Sequence, residues 1–282
     1  MIPPSIFELI FSQTLQSAFI HTEQSAIHYY RFGTGARWLF CFHGYGEEGT
    51  SFAFLEKELG ARFTIISIEM PFHGKTNWKG PLLFEPESLI NIIHQIKPPH
   101  ISMYLLGYSM GGRVVMQLMQ LIPSEIGKII LIAPDGLPKN LWQKISTQTW
   151  LGNKLFLYCM RHPGLIVGTM DLLGKMNLFN RSIIKFVHYY LDDAASRNLL
   201  YKCWSTMRHF RSDKVKLANI CRETQIPISM LFGKYDRVII DKHGKSFAAM
   251  APDLIRLQTI EAGHQLLKPK FATLIAGLIL DQ

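Results

Sequence analysis

A serine flanked by two glycines stands between a strand-like run and a helix-like run, and it constrains the local fold more than any other feature. Residues 107–111 read Gly-x-Ser-x-Gly around Ser109. The mostly apolar run 101–106 follows a double proline, as buried strands often do. The run 113–122 is helix-like and ends at Pro123. We therefore expect a strand, a sharp strained turn that exposes the serine hydroxyl, and a helix.

This turn would also prepare a place for negative charge. The expected helix directs its free N–H groups and its positive dipole end at Ser109. A carbonyl oxygen that becomes negative under attack is stabilised by such donors. Met110 is the first predicted donor. The second should come from the loop after the strand-like run 38–42, where Tyr45 is the predicted donor and His43 is expected to brace the loop.

A serine hydroxyl is a weak nucleophile and needs a base, usually a histidine held by a carboxylate. Among eleven histidines, His264 has the most suitable setting, because it follows the strand-like run 254–260 and Gly263 allows its loop to turn. An ordinary surface histidine is the alternative interpretation of His264.

The predicted carboxylate is Asp236, which follows another strand-like run, 227–233. Ser109, Asp236 and His264 would then lie past the carboxyl ends of three strands, where open parallel sheets form their sites. The order Ser, Asp, His is the order found with this type of serine turn. Asp241 and Asp135 are rivals, and Asp135 also follows a strand-like run, 129–134.

Taken together, these motifs resemble the alpha/beta-hydrolase superfamily. The resemblance rests on His43-Gly44, on the Pro-Phe-His-Gly sequence at 71–74, on the serine turn, and on the settings of Asp236 and His264. It implies an α/β fold with a mostly parallel sheet, helices on both faces and an inserted helical cap. The core would comprise residues 1–136 and 217–282, and the cap residues 137–216. Glu69 departs from the pattern, since the family commonly has Asp there.

A competing motif overlaps the loop of Tyr45. Residues 44–49 read Gly-x-Gly-x-x-Gly, and Glu69 lies twenty residues beyond Gly49, as in dinucleotide-binding proteins. Glu47 and Glu48, however, would place two negative charges where a pyrophosphate must bind. The sequence therefore favours a hydrolase over a nucleotide-binding protein.

Positive charge is concentrated in the predicted cap. Residues 137–216 carry thirteen Lys or Arg and four Asp, and the remaining residues balance, so the net charge of +9 belongs to this segment. It could be a solvated basic exterior, or a surface that contacts anionic lipid. It could also hold an apolar pocket where Trp142 and Arg161 bind substrate.

Other classes of protein lack support in the sequence. Metal-binding, phosphate-loop and nucleic-acid motifs are absent, so we expect no cofactor, no metal and no nucleic acid, but a small-molecule substrate. The four cysteines have no disulfide-framework spacing. The sequence shows no secretory signal pattern, and its apolar runs are too short to span a bilayer. We expect a cytoplasmic monomer or homodimer.

The predicted function is hydrolysis of a carboxylic ester with a small or medium apolar acyl group, through an acyl-enzyme. Residues 107–113 also look like the serine turn of the menaquinone-pathway lyase and of hydrolases that cleave carbon–carbon bonds. For such anionic substrates Arg113 and the arginines of the cap would bind carboxylates; otherwise Arg113 faces solvent or a neighbouring acid. A non-enzymatic binding protein of the same fold is a further alternative.

Overall fold

Eight strands form one sheet in the part of the chain that this computed structural model describes, residues 16–138, 141–164, 167–168 and 191–281. The spatial order is β1-β2-β4-β3-β5-β6-β7-β8. The strands are β1 (Gln16–His21), β2 (Ala26–Phe32), β3 (Arg37–Phe42), β4 (Phe63–Ile68), β5 (Met103–Tyr108), β6 (Ile126–Ile132), β7 (Ile228–Gly233) and β8 (Ile255–Ile260).

Six of these strands, β4-β3-β5-β6-β7-β8, run parallel, and β1 and β2 extend the sheet with antiparallel pairing. Parallel strands are usually covered on both faces and read as continuous apolar runs. Both β4 and β7 are buried at every position. The predicted fold class, a mostly parallel α/β sheet, is confirmed.

From β3 onward, all but the last of the α-helices of the described residues lie between successive strands, and four of them follow one another between β6 and β7. They are α1 (Glu56–Leu59), α2 (Pro86–Ile96), α3 (Met110–Leu121), α4 (Leu141–Gln148), α5 (Trp150–Arg161), α6 (Ala194–Thr206), α7 (Lys214–Thr224), α8 (Asp241–Ala248) and α9 (Ala272–Leu280). A 3₁₀ helix, Gly49–Leu55, leads into α1.

Two compact units make up the chain. The first, which contains the sheet, comprises Met1–Lys79, Pro86–Pro138 and Phe210–Gln282. The second comprises Gly80–Glu85 and Lys139–His209. The predicted cap, 137–216, includes all of 139–209 but also takes in residues that belong to the first unit, among them the start of α7.

The second unit has a small core of its own, built from α5 and α6. The Phe156 ring lies 5.4 Å from that of Tyr201 and 5.7 Å from that of Trp204, measured between centroids. The Asn153 side chain donates to Ser205 Oγ at 3.0 Å and accepts from the Tyr201 hydroxyl at 2.9 Å. These contacts fix which face of α5 is buried.

Strand β5 and helix α3 meet closer to Ser109 than the sequence indicates. The strand ends at Tyr108 rather than at 106, and the helix begins at Met110 rather than at 113. Pairing decides the strand end, because Gly107 pairs with Phe42 of β3 and with Leu131 of β6. Only glycine fits at position 111 in the first turn of α3, because a Cβ there would lie 1.9 Å from the Phe42 carbonyl oxygen.

This close approach predicts that Gly111→Ala destabilises the fold by at least about 2 kcal/mol, since backbone cannot yield to an added methyl group. Gly277→Ala in α9 is the matched control, because a Cβ there meets nothing within 4 Å. It should raise stability by about 0.5–1 kcal/mol, as a helical glycine replaced by alanine does. Urea denaturation of both variants measures the difference; an unchanged midpoint for Gly111→Ala would contradict the packing described.

Candidate active site

Ser109 occupies a backbone conformation that non-glycine residues rarely adopt, with φ 50° and ψ −114°. Such strain costs on the order of 1–3 kcal/mol and persists only where surrounding contacts hold it. Here the Ser109 N–H donates to the Ile132 carbonyl at 3.0 Å. The Ser109 carbonyl accepts from the N–H groups of Gly112 and Asp135, at 2.9 and 2.8 Å. The hydroxyl is therefore presented at the junction of β5 and α3 by a fixed backbone.

His264 lies beside that hydroxyl and connects it to Asp236. Its Nε2 is 3.1 Å from Ser109 Oγ, and its Nδ1 is 2.7 Å from Asp236 Oδ2. The structure thus brings together the three side chains that the sequence singled out. The Asp236 side chain is wholly buried, whereas 22% of the His264 side chain is exposed.

Asp236 is held by backbone donors as well as by the histidine. Its Oδ1 accepts from the N–H groups of Val238 and Ile239, at 2.7 and 2.8 Å. The loops that carry Asp236 and His264 pack tightly, because a Cβ on Gly233 would lie 2.3 Å from the Gly263 carbonyl oxygen. Glycine at the end of β7 is therefore what lets the two loops meet.

This arrangement sets the protonation of the imidazole. An ionised carboxylate can only accept hydrogen bonds, so Nδ1 of His264 carries the proton donated to Asp236. Nε2 then presents a lone pair to the Ser109 hydroxyl. That is the geometry needed for a histidine to remove the hydroxyl proton, with the carboxylate stabilising the imidazolium that results.

The two predicted oxyanion donors lie on the backbone segments next to Ser109. Met110 is the first residue of α3, so its N–H has no partner within the helix. Gly44, directly before Tyr45, passes so close that a Cβ on it would lie 3.4 Å from Ser109 Cβ and 3.0 Å from the Tyr108 ring. The role of the Tyr45 and Met110 N–H groups in binding an oxyanion stays a prediction.

Two buried neutral histidines connect the Tyr45 loop to the loop after β4. His43 donates from Nδ1 to the Gly44 carbonyl at 2.8 Å and accepts the Met70 N–H at Nε2 at 3.1 Å. His73 accepts the Gly46 N–H at Nε2 at 3.2 Å and donates to the Pro71 carbonyl. Burial, and secondarily the nearby His73, lower the pKa of His43 to about 3. Burial also lowers the pKa of His73.

Glu69 anchors the same region, and the sequence analysis missed this role. Its buried carboxylate accepts from the N–H groups of Gly49 and Lys75, at 3.0 and 2.6 Å, and from Nδ1 of His28 at 2.8 Å. A Cβ on Gly74, whose φ is +51°, would collide with this carboxylate. With both oxygens engaged by the chain itself, Glu69 is not placed like the ribose-binding acid of a dinucleotide site. Gly74, which follows His73, is the sequence feature that could have indicated this role of Glu69.

The rival acids are committed elsewhere. Asp241 pairs with Lys245 at 2.6 Å and accepts from the Thr259 hydroxyl. Asp135 forms an ion pair with Arg113, whose side chain is only 11% exposed. Arg113, a predicted substrate-binding residue, therefore faces a neighbouring acid, which was the other interpretation of its position.

The remaining predicted substrate-binding residues lie in the second unit. Arg161 is exposed at the end of α5 and borders a pocket that Leu157, Met160 and Tyr201 also line. The Trp142 side chain lies outside the described residues.

Comparison with known proteins agrees with this architecture. A family model described as the alpha/beta hydrolase fold matches residues 37–154, from β3 through the serine turn and into α5. The thioesterase domain from the curacin biosynthetic pathway superposes with a TM-score of 0.65 at 15% identity, covering 95% of this chain and all of that domain. The chain therefore has the alpha/beta-hydrolase fold. The predicted fold is thereby confirmed.

Sequence relatives at low identity include a hydrolase and an esterase. The uncharacterized hydrolase YugF of Bacillus subtilis is 20% identical over 236 residues, which are 82% of this chain and 84% of that protein. A pimeloyl-[acyl-carrier protein] methyl ester esterase of Pseudoalteromonas atlantica is 25% identical over 116 residues, 38% of this chain and 44% of that protein. This chain of the alpha/beta-hydrolase fold is thus similar to hydrolases in sequence as well.

Metal-binding clusters and membrane-spanning helices are both absent from the residues that the structure describes. Among them, no group of three or more His, Cys, Asp or Glu side chains is arranged to hold a metal ion. Nor does any described helix combine the length and apolarity needed to cross a bilayer. All four cysteines are free.

The bracing histidines predict a pH dependence of stability. Because the pKa of His43 is about 3 in the folded state and 6.5 is its reference value, the unfolded chain binds the extra proton. This contribution is fully present above pH 6.5 and is lost as the pH falls toward 3, by at most about 1.4 kcal/mol per pH unit. In His43→Gln, urea denaturation from pH 7 to about pH 4 should show a shallower loss of stability than in the wild type.

His21→Gln is the control for this experiment, because His21 is exposed on β1. It should leave the pH slope unchanged. Equal slopes for His43→Gln and the wild type would show that His43 is not held neutral.

Proposed function

We propose that this alpha/beta-hydrolase cleaves carboxylic esters of small or medium apolar acyl groups, with Ser109 as the nucleophile. The observation that carries the proposal is the continuous hydrogen-bonded path from Ser109 Oγ through His264 to Asp236, over 3.1 and 2.7 Å. A strained, fixed serine beside an oriented imidazole is the arrangement that activates a hydroxyl.

The reaction follows from the positions of these groups. Nε2 of His264 takes the hydroxyl proton while Ser109 Oγ attacks the ester carbonyl, whose oxygen becomes negative. The N–H groups of Met110 and Tyr45 bind that oxygen. The C–O bond to the alcohol then breaks, and His264 protonates the leaving alkoxide, which gives an acyl-serine. Water, deprotonated by His264, attacks the acyl carbon, and the serine oxygen leaves with the returned proton.

Asp236 has a positioning task in this sequence. It holds the imidazole in the tautomer whose Nε2 can accept a proton, and it stabilises the imidazolium between the two transfers. Val238 and Ile239 fix the carboxylate through their N–H groups, so the imidazole meets a carboxylate that is already oriented.

Hydrolysis of an apolar ester is favoured over the anionic-substrate reactions for one structural reason. In the lyase and carbon–carbon hydrolase alternatives, Arg113 and the arginines of the cap bind carboxylates. The ion pair with Asp135 already neutralises the Arg113 guanidinium. The pimeloyl-[acyl-carrier protein] methyl ester esterase among the relatives adds support for ester chemistry. A non-enzymatic role is disfavoured because binding alone does not require the Ser109–His264–Asp236 path.

We expect the wild type to turn over p-nitrophenyl acetate and butyrate. The variants should distinguish Asp236 from its rival Asp135 as the acid that orients His264. His264→Ala should lose at least about a hundredfold in kcat/KM. Asp236→Asn should lose on the order of 10⁴-fold in kcat, because an amide can stabilise the wrong tautomer of His264. Asp135→Asn is the matched control and should retain kcat within about tenfold, since its carboxylate faces Arg113 rather than the imidazole.

His21→Ala serves as a histidine control and should match the wild type. A larger loss of kcat for Asp135→Asn than for Asp236→Asn would contradict the assigned acid. Turnover of carboxylate-bearing substrates without any turnover of the neutral esters would assign the site to the alternative, anionic-substrate chemistry.

A further inference from the structure

Helix α5 is apolar on both of its faces, although only one face is buried. Phe156, Leu157 and Met160 face the core of the second unit with Tyr201. The opposite face exposes large side chains at helical spacing: Trp150 is 73% exposed, Leu151 71%, Leu155 59% and Tyr158 53%. A surface helix normally carries polar residues on its outer face, and a contiguous exposed apolar patch marks a contact site. We call these four residues, with Lys154, the α5 face.

The charged residues of α4 and α5 are all of one sign. They are Lys144, Lys154 and Arg161, and the sequence has no acidic residue between 136 and 170. Lys154 Nζ lies 3.8 Å from the centre of the Trp150 ring, so a cation and an aromatic ring share one position on the surface. Ile145 of α4, 43% exposed, adds a further apolar side chain.

Tryptophan, tyrosine, leucine and lysine on one helix face are the combination found where helices lie in the plane of a membrane interface. The apolar side chains enter the boundary between headgroups and acyl chains, and the lysines approach anionic headgroups, which contribute about 1 kcal/mol per Lys or Arg. A second copy of this chain is a poorer partner, because two surfaces of the same positive sign would face each other.

We propose that the α5 face binds the surface of anionic lipid membranes peripherally, without spanning them. Trp150, Leu151 and Leu155 insert at the level of the headgroups, and Lys144 and Lys154 bind anionic lipid phosphates. This surface belongs to the second unit and Ser109 to the first, and the proposal does not depend on the reaction proposed for Ser109. A fraction of the protein molecules would then be bound at a membrane. Together with the proposed function, this would place the Ser109 hydroxyl in molecules that have access to apolar substrates in that membrane.

Co-sedimentation of the full chain with lipid vesicles tests the proposal. We expect partitioning to vesicles of phosphatidylglycerol and phosphatidylcholine at least about tenfold stronger than to phosphatidylcholine alone, and weakened by salt. The double substitution Leu151→Ser/Leu155→Ser should reduce partitioning at least about tenfold. Lys144→Glu/Lys154→Glu should reduce it only on the anionic vesicles.

Val215→Ser is the matched control, since Val215 is a comparably exposed apolar residue, 55% exposed, on α7 of the other unit. It should bind like the wild type. Trp150→Phe keeps an aromatic side chain and should keep most of the binding, while the blue shift of tryptophan emission on vesicles should be lost. Thermal unfolding and p-nitrophenyl butyrate turnover of each variant should be unchanged, because all substituted side chains are exposed.

Three results would overturn the proposal. One is wild-type protein that sediments with neither kind of vesicle. Another is undiminished binding by Leu151→Ser/Leu155→Ser. The third is a wild-type protein that does not bind vesicles but binds polyglutamate, or self-associates in light scattering, and loses this behaviour in Leu151→Ser/Leu155→Ser. The α5 face would then be a protein-binding surface.

Discussion

The strained turn at Ser109 is the constraint on which the rest of the site depends. Its φ of 50° can be held only if β5 and α3 approach closely, and both glycines beside the serine serve that approach. A Cβ on Gly107 would lie 2.5 Å from the Gly111 carbonyl oxygen, and one on Gly111 would strike the end of β3. The Ile132 carbonyl at the end of β6 and the Asp135 N–H just after it then hold the strained residue. Parallel pairing thus brings the serine, the Tyr45 loop and their supports to one edge of the sheet.

Buried polar groups around this edge act mainly on loops rather than on one another. Glu69 accepts backbone N–H groups from two loops, and Asp236 accepts two within its own loop. His43 and His73 do the same work as neutral acceptors, since each uses Nε2 to accept a backbone N–H from another segment. Satisfying these donors in a low-dielectric interior stabilises a single loop arrangement. The loops that carry reactive groups are therefore fixed before substrate arrives.

Sequence reasoning reached the parts of this structure that short-range patterns encode. Apolar runs gave the parallel strands, and the residue after each run gave Ser109, Asp236 and His264, because strands of a parallel sheet end at one edge. Element boundaries failed where long-range pairing decides them, as at Gly107, which pairs with β3 and β6. The anchoring role of Glu69 was missed, because its partners Gly49 and His28 are distant from it in sequence. The sequence did not indicate which apolar face of α5 is exposed, because the apolar residues of both faces recur at helical spacing.

The account rests on Ser109 being an activated nucleophile. Reaction of the wild-type protein with a fluorophosphonate, followed by peptide mass spectrometry, tests this most directly. A single phosphonyl adduct on the peptide containing Ser109, absent from Ser109→Ala and strongly slowed in His264→Ala, is the predicted result. An adduct at another residue, or equal labelling of wild type and Ser109→Ala, would contradict the account.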